Sequence, residues 1–192
     1  MNMDQTLHSF SCDVDGILND YPLCWLRYLA DKCGTLYETV SLAKQNEINY
    51  KHYKDEYRNS SFKANLPVLR RNRDTIRKII SRGYNPIMVT SRPILDDKYP
   101  GLFDRTLQWL KKTELPFSEF KYKDPAASFL DSCHKIHFHI DDDPIYAKIV
   151  ALKGVKVFLL RNDNWDFSII KESKNIIIIN DLMEILEDES IF

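Results

Sequence analysis

The sequence predicts an α/β fold: a Rossmann-like parallel sheet with helices on both faces and a small helical cap inserted after the first strand. Three observations point there. Short apolar runs alternate with stretches of helical periodicity, the pattern of a parallel sheet with right-handed crossovers. Several strand-like runs end in acidic or hydroxyl residues rather than in plain turns. The stretch between the first strand and the next strong helix is polar and tyrosine-rich, which reads as an insert and not as a crossover.

The elements follow in order. Thr6-Leu7-His8-Ser9-Phe10 reads as a short strand running into Ser11-Cys12-Asp13-Val14-Asp15-Gly16-Ile17-Leu18. Asn19 or Asp20 is placed to cap a helix with Pro22 in its first turn. Leu23, Trp25, Leu26, Leu29 and Ala30 give that helix its apolar face, and Gly34 ends it. Weak helical periodicity follows over 39–48 and 52–58, with 62–69 as the return path. A helix over 70–82 places Ile76, Ile79 and Ile80 inward, with Gly83 as its C-cap. A buried strand over 85–90 ends in Thr90-Ser91-Arg92-Pro93. Leu102, Phe103, Thr106, Leu107 and Leu110 mark the next helix.

A short strand is expected over 117–123, and Asp124-Pro125 opens a brief helix to about residue 131. Residues 135–140 alternate as a strand ending in Asp141-Asp142-Asp143-Pro144. A helix over 144–152 has Gly154 as its C-cap. Strands over 155–160 and 175–179 follow, and the four consecutive isoleucines of the latter fit a strand covered on both faces. A helix over 181–187 closes the chain. Residues 1–19 and 70–192 are assigned to the α/β core and 20–69 to the cap.

With 192 residues, the chain is long enough for one domain and a small insert. Its 44% hydrophobic and 29% charged content is that of a soluble globular protein. A net charge of -1 gives no reason to expect a nucleic-acid polymer or a membrane surface as partner. Cys12, Cys24, Cys33 and Cys133 show no metal-type spacing, so free thiols in a reducing cytoplasm are expected. No secretory leader and no transmembrane run is evident. The oligomeric state, a homodimer included, is left open.

The chemistry concentrates at strand ends. Parallel strands put their C-terminal ends on one edge, where open α/β sheets bind ligands. Asp13 and Asp15, two residues apart on an extended chain, face the same side. Their repulsion and a nearby cation would push their pKa values apart, so that one stays ionised and the other can carry a proton. Asp13 and Asp141, with a main-chain carbonyl and waters, make a hard oxygen site suited to Mg²⁺. Thr90 offers a hydroxyl with the adjacent backbone N–H of Ser91. Lys123 offers a compact cation, with Lys121 as the other candidate.

In this order the residues resemble the haloacid dehalogenase superfamily of phosphohydrolases, and the resemblance spans the chain. Residues 57–69, Thr90-Ser91-Arg92-Pro93 and Ile140-Asp141-Asp142-Asp143-Pro144 further resemble its 5′(3′)-deoxyribonucleotidase-related branch. The resemblance implies that Asp13 is the nucleophile forming an aspartyl-phosphate. Asp15 would protonate the leaving oxygen and later deprotonate water. Mg²⁺ would be held by Asp13, the main chain of Asp15, and Asp141, with Asp142 supporting from behind. Thr90, Ser91 and Lys123 would hold phosphoryl oxygens.

The expected activity is a cytoplasmic phosphoric monoester hydrolase acting on a small phosphorylated metabolite, first of all a nucleoside monophosphate. A sugar phosphate or other small metabolite is the alternative substrate, and a catalytically silent binding protein the alternative class. His137-x-His139 has no third ligand and is read as structural. Cys12 is read as a small buried hydrophobe turned away from the carboxylates. Trp25, Tyr28, Tyr50, Tyr53, Tyr57 and Phe62 could stack on a nucleobase, but are read first as the cap's own core.

Overall fold

The computed structural model describes residues 8–131, 136–170 and 173–192. The polar leading stretch 1–5, the start of the first strand at Thr6 and Leu7, Cys133, and the Lys135 start of the 135–140 strand lie outside them.

Six strands form one parallel sheet: β1 (His8–Asp13), β2 (Tyr84–Thr90), β3 (Glu119–Tyr122), β4 (Ile136–Asp141), β5 (Lys156–Leu160) and β6 (Ile176–Ile179). Their order is β3-β2-β1-β4-β5-β6. Both β2 and β4 pair with β1, so the order reverses at β1 and opens a crevice at the carboxyl ends of β1 and β4. Alternation sorts the side chains of β1. Phe10 and Cys12 go into the larger core, whereas Ser11 and Asp13 face the other side. Phe10 stacks on Phe138 of β4 at 5.1 Å between centroids, and Phe138 meets Phe158 of β5 edge-on at 5.6 Å. These three rings tie the central strands together.

Between β1 and β2 the chain makes five helices: α1 (Leu23–Cys33), α2 (Val40–Asn46), α3 (Tyr50–Asn59), α4 (Ser61–Ala64) and α5 (Arg70–Ser81). The stretch carrying α1–α4 leaves and rejoins the sheet at one point, where the Leu69 amide donates to the Leu18 carbonyl at 2.9 Å. Trp25 and Tyr57 are fully buried and join the same apolar cluster as the sheet. Helices α6 (Leu102–Lys112) and α7 (Pro144–Leu152) make later crossovers. Among the described residues no helix is long and apolar enough to cross a membrane.

Four local expectations change. Neither Asn19 nor Asp20 caps α1. Pro22 occupies that position, because the Asn19 amide goes to Asp15 at 2.8 Å and Asp20 to Arg27 at 2.9 Å. The isoleucine strand β6 is not covered on both faces: it is the sheet edge, Ile178 is 38% exposed, and Ile176 and Ile177 are half-buried. An apolar run reports hydrophobicity, not whether a neighbour exists on each side. The closing helix is a 3-10 helix, Leu182–Glu187, fixed by a reciprocal cap between Asp181 and Glu184. The brief helix after Asp124 shrinks to 3-10 residues Ser128–Leu130, because the Asp124 carboxylate takes the Ala126 and Ser128 amides.

Phe138 carries the ring stack, so Phe138→Ala is expected to lower the unfolding free energy by about 3–5 kcal/mol. The urea midpoint reads this, and a loss under about 1 kcal/mol would show that the stack is not what joins β1, β4 and β5.

Candidate active site

The crevice at the β1/β4 ends gathers Asp13, Asp141 and Asp142. One oxygen from each lies within 4.8 Å of the other two. Lys123, one residue beyond β3, reaches across β2 into this group. Its Nζ donates to Asp141 Oδ2 at 2.8 Å and Oδ1 at 3.1 Å, and lies 3.2 Å from Asp13 Oδ1. It also sits 4.3 Å over the Tyr146 ring of α7. Lys123 is fully buried. Burial alone would lower its pKa, but Asp13 and Asp141 outweigh that and hold it above the usual lysine value.

The three carboxylates differ in what surrounds them. Asp141 accepts from Lys123, from His139 Nε2 at 2.8 Å and from the Asp143 amide at 3.0 Å. Against the effect of burial, Lys123 and His139 hold it well below the carboxylate range. Asp142 Oδ2 accepts from Asn162 Nδ2 at 3.2 Å and Trp165 Nε1 at 3.1 Å. Burial, then repulsion from Asp141, raises its pKa to about 8. Asp13 Oδ1 is buried without a hydrogen-bond donor, since the 3.2 Å approach of Lys123 lacks hydrogen-bond geometry. Burial raises the Asp13 pKa, Lys123 opposes this, and Asp141 and Asp142 add to it. An orphaned buried oxygen among three carboxylates is a site that a divalent cation would satisfy.

Gly16 makes the cluster possible. Its φ is +84°, and a Cβ there would lie 2.2 Å from the Asp142 carboxyl. The glycine of the Asp-x-Asp-Gly stretch is therefore required twice, for its backbone angle and for the space that Asp142 fills.

Asp15 points into a different environment. Arg92 grips it with Nε–Oδ2 at 2.8 Å and Nη2–Oδ1 at 2.5 Å, Asn19 donates to Oδ1 at 2.8 Å, and Lys63 of α4 donates to Oδ2 at 3.3 Å. Burial would raise its pKa, but Arg92 and Lys63 hold it well below the carboxylate range. These surroundings favour the ionised form of Asp15, whereas burial works against that of Asp13, a direction opposite to the roles that the resemblance implies. The reason is the donor set around Asp15, none of which is adjacent to it in sequence.

Thr90 Oγ1 accepts the Arg92 amide at 3.1 Å and is not in the pocket lining, whereas Ser91 is. Of the two candidate lysines, Lys123 reaches the carboxylates and Lys121 pairs with Glu119 at 2.7 Å. Strand alternation does not relate them, because β3 ends at Tyr122. His139 is fully buried and bridges Asp141 to Ser11 Oγ, 2.7 Å from Nδ1. Its place two residues before Asp141 on one strand face was a readable signal. Arg92, Lys63, Asn162 and Trp165 were not assigned from sequence. Arg92 adjoins Thr90-Ser91 and could have been found, but nothing local marks Lys63.

Asp13, Asp15, Asp142, Asp143, Ser91, Arg92 and Lys123 line one pocket of about 190 Å³ with Tyr21, Lys54, Arg58, Lys63, Pro93 and Trp165. The cap aromatics mostly pack on one another. Trp25 meets Tyr28, Tyr50 and Tyr57, and Tyr28 meets Phe62.

A six-stranded parallel sheet with an acidic cluster at its switch point defines an α/β protein with its candidate site at the strand ends. Solved structures specify the fold further. A haloacid dehalogenase-like family hydrolase from Streptococcus pneumoniae superposes with a TM-score of 0.63 at 12% identity, over 94% of this chain and 97% of that one. A Thermotoga maritima protein described as a beta-phosphoglucomutase gives 0.61 at 18% identity, over 94% and 97%. A HAD family hydrolase from Deinococcus radiodurans R1, with bound phosphate and sodium, gives 0.59 at 12% identity, over 93% of each. At these identities the likeness establishes the fold, which is haloacid dehalogenase-like. No protein-family model and no curated protein matches the sequence.

Lys123→Ala would leave Asp13 and Asp141 buried without their shared cation. It is expected to cost about 3–5 kcal/mol of stability in urea denaturation, against under about 1 kcal/mol for Lys121→Ala. Equal effects would remove Lys123 from the centre of the site. Gly16→Ala is expected to displace Asp142 and strain the backbone; a variant with unchanged stability and unchanged divalent-cation binding by calorimetry would contradict that account.

Proposed function

We propose that the protein is a Mg²⁺-dependent phosphatase that hydrolyses a small phosphomonoester through an aspartyl-phosphate on Asp13. The observation that carries this reading is the buried, unbonded Asp13 Oδ1 set beside Lys123 and Asp142 at the sheet's switch point. Asp13 and Asp142 are the side chains best placed to hold the ion, with the main-chain carbonyl of Asp15. Asp141, already engaged by Lys123, His139 and the Asp143 amide, serves to position Lys123. Bound Mg²⁺ would favour the ionised form of Asp13 and neutralise charge on the phosphoryl oxygens.

In the proposed reaction an Asp13 oxygen forms a bond to phosphorus as the bond to the leaving-group oxygen breaks. That oxygen takes a proton from Asp15. Water then attacks the phosphorus of the aspartyl-phosphate as its bond to the Asp13 oxygen breaks, Asp15 accepts the water's proton, and inorganic phosphate leaves with the Asp13 carboxylate restored. Lys123, Ser91 and the backbone after Thr90 steady the phosphoryl oxygens, since this transfer needs alignment and charge neutralisation above all. To carry a proton, Asp15 must loosen its pairing with Arg92, and substrate oxygens offer that guanidinium a competing acceptor.

A nucleoside monophosphate is the substrate suggested by the branch resemblance, with Tyr21 and Trp165 as the aromatic groups lining the pocket. The pocket volume of about 190 Å³ favours the second reading, a sugar phosphate or smaller phosphorylated metabolite.

Asp13→Asn is expected to lower turnover of p-nitrophenyl phosphate by at least about three orders of magnitude while the thermal midpoint stays near wild type. EDTA is expected to abolish turnover and added Mg²⁺ to restore it. Retained activity in Asp13→Asn would overturn the nucleophile assignment. No turnover across a phosphomonoester panel, with or without Mg²⁺, would favour a binding protein that keeps the fold.

A further inference from the structure

The pocket that holds Asp13 also carries a group of basic side chains. Lys54 and Lys63 come from the inserted helices α3 and α4, and Arg92 from the loop after β2, and all three line it. Lys63 and Arg92 are buried and share one carboxylate, Asp15. Lys54 is half-buried and, among the described residues, has no carboxylate within 4 Å. Its Nζ donates to Tyr21 Oη at 3.3 Å and rests 4.2 Å from the Trp25 ring centre.

Lys54 and Lys63 face the same two rings. Lys54 Nζ lies 4.8 Å from the Tyr21 ring centre and 5.3 Å from that of Tyr57, and Lys63 Nζ lies 5.9 Å and 4.8 Å from them. Three basic side chains thus line the pocket beside Asp15, which pairs with only two of them. Arg58 adds to the field, because its carboxylate partner Asp55 is also taken by Lys98 and Tyr99.

This crowding is unfavourable in the free protein. Burial, then Lys63 and Arg58, push the Lys54 ammonium well below its usual pKa. Bracing Asp15 explains Lys63 and Arg92. It does not explain Lys54, which makes no bond to Asp15.

We propose that Lys54, Lys63 and Arg92 form a second anion subsite, so that the substrate carries a further phosphate or carboxylate beyond the phosphoryl group at Asp13. The inference rests on the phosphomonoesterase reading. An anion bound there relieves repulsion already built into the pocket, and cations held between aromatic rings are partly desolvated in advance.

The test compares matched compounds. Propane-1,3-diol bisphosphate against propyl phosphate probes a second phosphate, and 3-phosphoglycerate against glycerol 3-phosphate probes a carboxylate. Calorimetry on Asp13→Asn, which retains the pocket without turnover, reads binding of each. At least one doubly anionic member is expected to bind tenfold or more tightly than its partner. In Asp13→Asn/Lys54→Met that ratio should fall below threefold, and Lys54→Arg should restore most of it. In the otherwise wild-type enzyme the same preference should appear as a lower KM. Equal binding within both pairs would overturn the subsite, as would a preference that survives Lys54→Met. Absence of turnover with every phosphoester, alongside a Lys54-dependent binding preference, would sink the phosphatase reading and leave the subsite standing.

Discussion

The structure depends on one buried ammonium. Asp13, Asp141 and Asp142 sit within 4.8 Å of one another where the sheet order reverses. At an effective dielectric constant of about 20, two of these groups would repel by about 3 kcal/mol at that spacing when both are ionised. Lys123 offsets this by standing against Asp13 and Asp141 at once, and the carboxylates in turn make its own burial tolerable. Its backbone is held too: the Lys123 amide donates to the Thr90 carbonyl at 2.7 Å, so β2 and β3 aim the side chain together. His139 and Ser11 extend the same network into the sheet.

Balance is incomplete by one oxygen, and that shortfall gives the site its chemical character. Asp13 Oδ1 has no donor, and Asp142 is pushed up to about 8 by burial and Asp141. Such groups are ones that a bound cation would satisfy. The same pocket also carries Lys54, Lys63 and Arg92 beside Asp15. The two groups come from different parts of the chain, the acidic one from strand ends and most of the basic one from the inserted helices. Substrate charge placed along the pocket would meet both.

Strand periodicity and the run of strand-end motifs made the sheet and the acidic cluster legible from Asp13, Asp15, Lys123, Asp141 and Asp142. What failed was mostly a matter of neighbours. The isoleucines of β6 read as a strand covered on both faces, but apolarity does not reveal that Ile178 is left exposed at the sheet's edge. Asn19 looked like a helix cap, yet its amide found a carboxylate four residues earlier. Lys63, which pairs with Asp15, went unassigned because it arrives from an inserted helix with no local mark.

The sequence alone determined which chemical groups reach the carboxyl edge of the sheet, because parallel strands bring all their C-terminal ends to one side whatever the loops do. Only the tertiary structure decided how those groups are paired and charged. Asp13 and Asp15 are two residues apart, yet one faces Lys123 from beyond β3 and the other Arg92 and Lys63 from a loop and an inserted helix. A carboxylate's charge state follows from burial and from donors within a few ångströms, and those donors arrive through folding from up to 110 residues away (Asp13 to Lys123).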